Sequence, residues 1–402
     1  MIRASSLGAV LLLATSGCDS DVEDGNDGGG GSTATPQSSS AEGGGTGVGG
    51  DGTTTSGDGT TSTSAGSTGS GLPNGCPNDA PYVTLQPEGR PAGAPPGDGS
   101  GVLLGISRWY VGEVDRNGSQ SPTAWQSFGF DVDAILTSDL DGDGGLSGSD
   151  LVCVCDAVGG EVNAGNLEDG PGGLDNSFGK NIISFLSSIV EDPSQSATAS
   201  AEDGASTVAF FLSNVGTGAS YDPVASSYFH LRDGETGTWR YAPESLNGND
   251  PASPRTVLPT AYVSTNTWVS APIAALDVPL SVGGIPLPLL IHDAVVSMEL
   301  SADRRSAENG MISGTLDTEE FVTAFGEAAS RIAGDTEGLC PGDQLFESIV
   351  QNIRSASDIM NIGAQVDGVT CSGITIGLGF DAVAVEASGV AEPLEPGPNP
   401  CQ

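Results

Sequence analysis

Basic residues are scarce in this chain. Lysine and arginine together number 12, against 52 acidic residues, for a formal net charge of −40. Lysine occurs once, as Lys180. Such a surface repels phosphate backbones, which excludes nucleic acid as a partner. It also repels anionic lipid headgroups, so any membrane attachment has to be covalent. Histidine occurs only twice, as His230 and His292, and no Cys-x-x-Cys is present, which argues against zinc sites built on nitrogen and sulfur. No GxSxG, HExxH or P-loop occurs, and no GxGxxG opens a helix after a strand. Beyond the N-terminus, no apolar run approaches the length needed to cross a bilayer.

What is present begins with an export signal. Arg3, the apolar run Leu7–Ala14 and the small residues Thr15-Ser16-Gly17 precede Cys18. This pattern is a secretory signal peptide over residues 1–17. The small residues before Cys18 resemble a degenerate lipobox of bacterial exported lipoproteins, with Thr15 where that family usually has Leu. The resemblance implies diacylation of Cys18 and attachment to a membrane of the cell envelope, at the periplasmic face or the cell surface. The alternative is ordinary cleavage near Ser16 and a secreted protein. Residues 18–75 are Gly/Ser/Thr-rich, as in GGGGSTATPQSSS, and lack apolar periodicity. They are expected to form a disordered tether reaching about 40 Å on average.

The remaining region, 76–402, holds six cysteines: Cys76, Cys153, Cys155, Cys340, Cys371 and Cys401. An even number in an exported chain reads as three disulfides. LVCVC reads as a strand, on which Cys153 and Cys155 share a face about 6.6 Å apart. Direct pairing would strain that short ring. Cys340 and Cys371 bracket a helical segment and are expected to pair. Cys76 and Cys401 would then both reach the Cys153/Cys155 strand.

Patterning divides this region into strands and helices. VLLGISRWYVGEV (102–114), WQSFGFDVDAIL (125–136), STVAFFLSNVG (206–216), PTAYVSTNTWVSAP, LPLLIHDAVVSMELS and GITIGLGFDAVAV read as strands. Residues 227–242 read as a hairpin around Asp233-Gly234. Helical spacing marks 175–190, with Asp175 or Asn176 as its cap, then 318–332 behind an Asp317/Glu320 capping-box variant, and 343–357. The expected fold is α+β: a β-sandwich-like antiparallel core decorated with about three helices. Whether it is one domain or two halves meeting near residue 250 is open at this point.

One motif carries chemistry. Residues 139–150, DLDGDGGLSGSD, resemble the EF-hand calcium loop. Asp139, Asp141 and Asp143 take its first, third and fifth positions, and Gly144 the turn. Gly145 would offer its carbonyl, Leu146 is the apolar residue, and Ser147 and Asp150 supply the ninth and twelfth positions. Alternate carboxylates converge on one hard cation, so the resemblance implies Ca²⁺ as cofactor. Asp150 replaces the usual Glu, and no second loop of this kind is visible, so a structural role is expected. A second acidic, Gly-rich stretch, 168–176, reads as a turn leading into the cap at Asp175.

His230 and His292 lie in apolar, strand-like contexts and read as hydrogen-bonded strand histidines. Two functions follow. The first is a non-enzymatic envelope lipoprotein with a calcium-stabilised β-rich domain that binds a glycan or protein ligand or serves structurally. The second is an envelope hydrolase using carboxylates on glycans. A cleft lined by Trp109, Trp125, Trp239 or Trp268 beside two carboxylates would favour the enzyme; tryptophans buried in separate core positions would favour the first.

Overall fold

Period-two patterning builds most of the molecule. A computed structural model of the chain describes residues 85–139, 146, 151, 153–202, 207–233, 238–332, 338–394 and 399–401. The expected signal peptide, Cys18, the expected tether and Cys76 lie outside these residues. In chain order the strands are β1 (Val102–Tyr110), β2 (Thr207–Leu212), β3 (Ser226–Asp233), β4 (Trp239–Tyr241), β5 (Thr256–Leu258) and β6 (Tyr262–Ser264). They continue with β7 (Thr267–Val269), β8 (Ile273–Val282), β9 (Ile285–Leu300), β10 (Ser306–Asp317), β11 (Gly373–Ala384) and β12 (Ala387–Val390).

All twelve join one sheet in the order β12-β4-β3-β2-β1-β11-β10-β9-β7-β6, with β5 on β3 and β8 on β9. The β12–β4 pair is parallel and the other pairs are antiparallel. Strands and helices are both present as expected. The strands are hydrogen-bonded edge to edge, so the two facing sheets of a sandwich are not seen among the described residues. Residues on both sides of position 250 contribute to this sheet.

The sheet curls until distant strands meet. Phe210 on β2 touches Trp268 on β7, with ring centroids 5.5 Å apart, although four strands separate them along the sheet. Phe210 also packs on Tyr228 of β3 and Phe380 of β11. A bridge between Tyr221 and Val263 ties the run before β3 to β6. The core inside is aliphatic and aromatic, with Leu104, Phe210, Trp268 and Phe380 fully buried. Each such side chain contributes about 1.5–3 kcal/mol through removal from water.

Helices cover the remaining apolar edges. A π-helical stretch, Phe178–Ile183, runs into the short α1 (Ser184–Leu186). Then come α2 (Pro193–Glu202), α3 (Thr318–Ile332) and α4 (Gln344–Ser355). Helices α3 and α4 match the spacing read from the sequence and meet through stacked Phe325 and Phe346. Asp317 caps α3 as expected, its Oδ1 accepting from the Glu319 and Glu320 amides at 3.0 Å each. Helix α2 was not anticipated, because PSQSATASAE has no apolar stripe. Hydroxyls hold it to β1 instead: Ser194 Oγ accepts from Val111 N and Thr198 Oγ1 from Trp109 N.

Three expectations need correction. Residues 125–136 are not a strand. Ala124–Ser127 forms a 3-10 turn, and the run that follows lies against the outer face of β10 and β11. Nor is LVCVC a strand, since Cys153 has φ +78° and the chain turns there. The disulfide pairing therefore differs: Cys155 bonds Cys371, and Cys340 bonds Cys401. Cys153 is disulfide-bonded as well. With a turn in place of a strand, the shared strand face on which the expected pairing rested is absent.

Candidate metal centre

The segment 128–133 reaches its place because β11 makes room for it. A Cβ at Gly377 would lie 2.2 Å from the Phe128 carbonyl oxygen, and one at Gly379 would lie 2.3 Å from the Phe128 ring. Only glycine lets Phe128 lie on this face. Gly129 N then donates to Met311 Sδ, and Phe130 N to Ser313 Oγ.

Asn176 locks this arrangement from the other side. Its Nδ2 donates to the carbonyls of Trp125, Phe128 and Gly377, and its Oδ1 accepts from Gly179 N and Gly377 N. Asn176 thus takes the helix-capping role for the stretch beginning at Phe178. Asp175 does not cap; it turns inward.

Inward lies a cluster of carboxylates. One oxygen each from Asp131, Asp133 and Asp175 lie within 4.8 Å of one another, a group that could hold a metal ion. Asp131 Oδ1 accepts from Ala134 N at 2.7 Å, while its Oδ2 is buried with no hydrogen-bond partner. Asp133 accepts from Ile135 N at 2.8 Å and from Gln365 Nε2 at 2.6 Å. Asp175 Oδ2 accepts from Val132 N at 2.6 Å.

Two further carboxylates adjoin them. Asp169 accepts from Thr137 N at 2.6 Å and is a hydrogen-bond neighbour of the Asp175 carboxyl. Asp358 accepts from both the amide and the hydroxyl of Thr375. Gln365 links the cluster to the Cys155–Cys371 disulfide, because its Oε1 accepts from Cys155 N at 2.9 Å.

Crowding and burial disfavour the charged forms. Burial pushes Asp131 up to about 7, reinforced by the neighbouring Asp133 charge. Burial pushes Asp133 up to about 6 and Asp358 up to about 7. Asp169 and Asp175 are raised well above the usual carboxylate range, by burial first and then by Asp133. Lys180 feels the Asp169 and Asp358 charges but spends its hydrogen bonds on others: its Nζ donates to the Gly165 and Glu168 carbonyls and pairs with the Glu168 carboxylate at 3.1 Å. Buried anions without a counter-charge are costly. An all-oxygen set fixed by backbone amides suits a hard cation, which would remove that cost.

Asp141, Asp143, Gly145, Ser147 and Asp150 lie outside the described residues. Asp139 is half-buried, and Leu146 packs on a small apolar cluster that includes Val154, Leu167 and Cys371. Asp139, the described carboxylate of the expected calcium loop, does not belong to the Asp131/Asp133/Asp175 group. Asp131 and Asp133 were hidden inside an apparent strand, where alternate Asp was their one signal. Asp169 and Asp175 sit in the acidic, Gly-rich stretch read as a turn. Asp358 carries no sequence signal, since only the fold brings it close.

The two histidines spend their hydrogen bonds outside this cluster. His230 on β3 shares a hydrogen bond with the Asp277 carbonyl at 2.9 Å, and His292 on β9 pairs with Glu320 at 2.8 Å. Trp109 packs on Phe380, Trp268 is fully buried, and Trp125 lies beneath Lys180. Among the described residues, no helix is long and apolar enough to cross a membrane. No protein-family model, no curated protein and no solved structure matches the chain.

Proposed function

We propose that this is an exported cell-envelope lipoprotein whose β-rich domain is held together by calcium and disulfides and acts in binding or scaffolding, not catalysis. The buried carboxylate cluster carries this reading. Its partnerless Asp131 Oδ2 and its scarcity of counter-charge call for a cation, and its oxygen donors suit calcium over softer metals. Disulfides fit an oxidising compartment outside the cytoplasm. The Cys18 lipid anchor, the tether and the calcium loop at 139–150 belong to the same proposal. So does a glycan or protein ligand.

The placement of the tryptophans supports the non-catalytic reading, since Trp109 and Trp268 serve the core. The carboxylates also spend their hydrogen bonds on backbone amides, which is how a structural cation site is built.

Thermal unfolding of the calcium-loaded and calcium-stripped protein tests the cation claim. At calcium a hundredfold above Kd, binding should stabilise by about 2.7 kcal/mol. In a chain carrying Asp139→Ala and Asp141→Ala, so that the 139–150 loop contributes nothing, Asp131→Asn with Asp175→Asn should abolish the calcium-induced rise in midpoint. An unchanged wild-type midpoint would refute the reading.

A further inference from the structure

We infer that the cation centre guards the Cys155–Cys371 disulfide: with calcium bound the disulfide resists thiols, and with the centre empty it opens to a dithiol reductant. This rests on the cation-centre reading above and adds a regulatory consequence to it.

The disulfide and the centre share a wall. Asp133, one of the three carboxylates of the centre, reaches the disulfide by two routes. Its Oδ2 accepts from Gln365 Nε2 at 2.6 Å, and Gln365 Oε1 accepts from Cys155 N at 2.9 Å. Its Oδ1 accepts from Ile135 N at 2.8 Å, and Ile135 packs on the small apolar cluster that contains Cys155 and Cys371. Gln365 is buried, so water does not stand in for its bonds. Asp156 N donates to Val369 O and Cys371 N to Asp156 O, which holds the run from Gln365 to Cys371 beside the same disulfide.

Shielding follows from burial. Cys155 is 1% exposed and Cys371 4%. A thiolate must reach a sulfur to attack it, so a bond this deep reacts only after local opening. The cation sets how often that opening occurs. Without it, the ionised carboxylates of Asp131, Asp133 and Asp175 repel one another. Asp131 and Asp175 are buried and Asp133 is half-buried, so Asp133 has the freest way out. Its departure releases Gln365 and Ile135 together, and with them the cover of the disulfide. With calcium bound, the opened form forfeits the binding free energy. The Cys340–Cys401 disulfide is the contrast within the same chain. Both of its cysteines are half-buried, and their amides bond Asp343 and Asn399, not the centre.

The reaction balances with a dithiol as the co-reactant. Its thiolate attacks one sulfur and breaks the S–S bond, giving a mixed disulfide; its second thiol then closes a ring and frees the protein. Two electrons and two protons pass to Cys155 and Cys371, and the dithiol becomes a cyclic disulfide. By linkage, the factor by which calcium disfavours reduction is also the factor by which reduction weakens calcium binding.

The test uses dithiothreitol on the full chain carrying Asp139→Ala and Asp141→Ala, so that the 139–150 loop contributes nothing. Freed thiols are trapped with iodoacetamide over time, and peptide mapping reads Cys371 and Cys401 separately. Calorimetry records calcium binding by the same protein. With calcium about a hundredfold above Kd, Cys371 should label at least about tenfold more slowly than in calcium-free buffer, because an opening that loses the ion is suppressed by up to the ratio of calcium to Kd. Cys401 should label at the same rate in both. Gln365→Ala, with calcium set against its own Kd, should lose most of the protection at Cys371. Near-ultraviolet circular dichroism checks that this variant is folded, and the parent comparison stands without it. Calcium that binds and leaves the Cys371 rate unchanged overturns this inference and leaves the cation-centre reading intact. Equal slowing at Cys371 and Cys401 overturns it as well, because calcium would then act on the fold at large. Full protection in folded Gln365→Ala also overturns it. No calcium binding in the parent overturns both readings.

Discussion

Asn176 shows how much one residue can organise. β1 pairs with β11 only from Gly379 onward, so Gly377, paired with Ser313 of β10 on one side, has no strand neighbour on the side facing β1. Asn176 supplies the missing partner, bonding both the amide and the carbonyl of Gly377 while holding Trp125, Phe128 and Gly179. The residue is 1% exposed, so water cannot replace those bonds. Asn176→Ala should strand several buried backbone groups at about 1–3 kcal/mol each before relaxation. Urea unfolding should therefore show a loss of roughly 2–4 kcal/mol with little change in slope. A loss under about 1 kcal/mol would mean that the segment 125–130 is held mainly by the Phe128 contact with β11. Asp175, its neighbour in sequence, should respond differently: Asp175→Asn should cost far more stability in calcium than in calcium-free buffer.

Among the elements, the long antiparallel strands and the two amphipathic helices near the C-terminus were legible in sequence. Alternation at Ile374, Ile376, Leu378 and Phe380 marks β11, and the spacing of Phe321, Phe325 and Ala329 marks α3; all seven are buried. The hairpin of β3 and β4 was legible too. The elements that build the metal centre were not. Residues 125–136 and 151–155 carry strand-like composition, but the run after Ser127 lies against the outer face of β10 and β11, and Leu151, Val154 and Cys155 join a small apolar cluster with Leu167 and Cys371. Side-chain and turn bonds hold them instead, and local patterning does not report those. The misread cysteine strand had a direct consequence, because the expected pairing depended on it. Peptide mapping without reduction should recover the Cys155–Cys371 and Cys340–Cys401 links. The first closes a separation of 216 residues and the second one of 61. Loop entropy alone predicts about 5 kcal/mol for the first and about 4 kcal/mol for the second. Cys155→Ser with Cys371→Ser should lower the unfolding midpoint further than Cys340→Ser with Cys401→Ser, and only the former should weaken calcium binding. The reason is Gln365, which ties Cys155 to Asp133.

At the scale of the whole molecule, the governing quantity is negative charge, both spread over the surface and gathered at one buried point. The two contributions can be separated by pH. In the calcium-free protein, burial holds Asp131 and Asp358 at about 7 and Asp133 at about 6, against an ordinary 3.8. Between those limits the folded state binds more protons than the unfolded state. A group with a raised carboxyl pKa stabilises the fold below its unfolded value and loses that contribution as pH rises through its folded value. Calcium-stripped protein should therefore become less stable from pH 5 to 7.5, at up to about 1.4 kcal/mol per pH unit for each such group. Calcium reverses the sign, because the ion binds only ionised carboxylates, so its stabilisation grows over the same interval. Surface self-repulsion from the net charge of −40 also grows with pH and would mimic the first slope. Two controls distinguish them. Added salt screens the surface term and leaves the buried one largely intact. Asp131→Asn with Asp358→Asn removes two of the buried protons and should flatten the calcium-free slope while leaving the salt response unchanged. The measurement is urea unfolding at half-unit pH steps, with and without calcium. If the calcium-free slope vanishes in high salt and ignores the double substitution, the pH response belongs to the surface and the buried cluster does not govern stability.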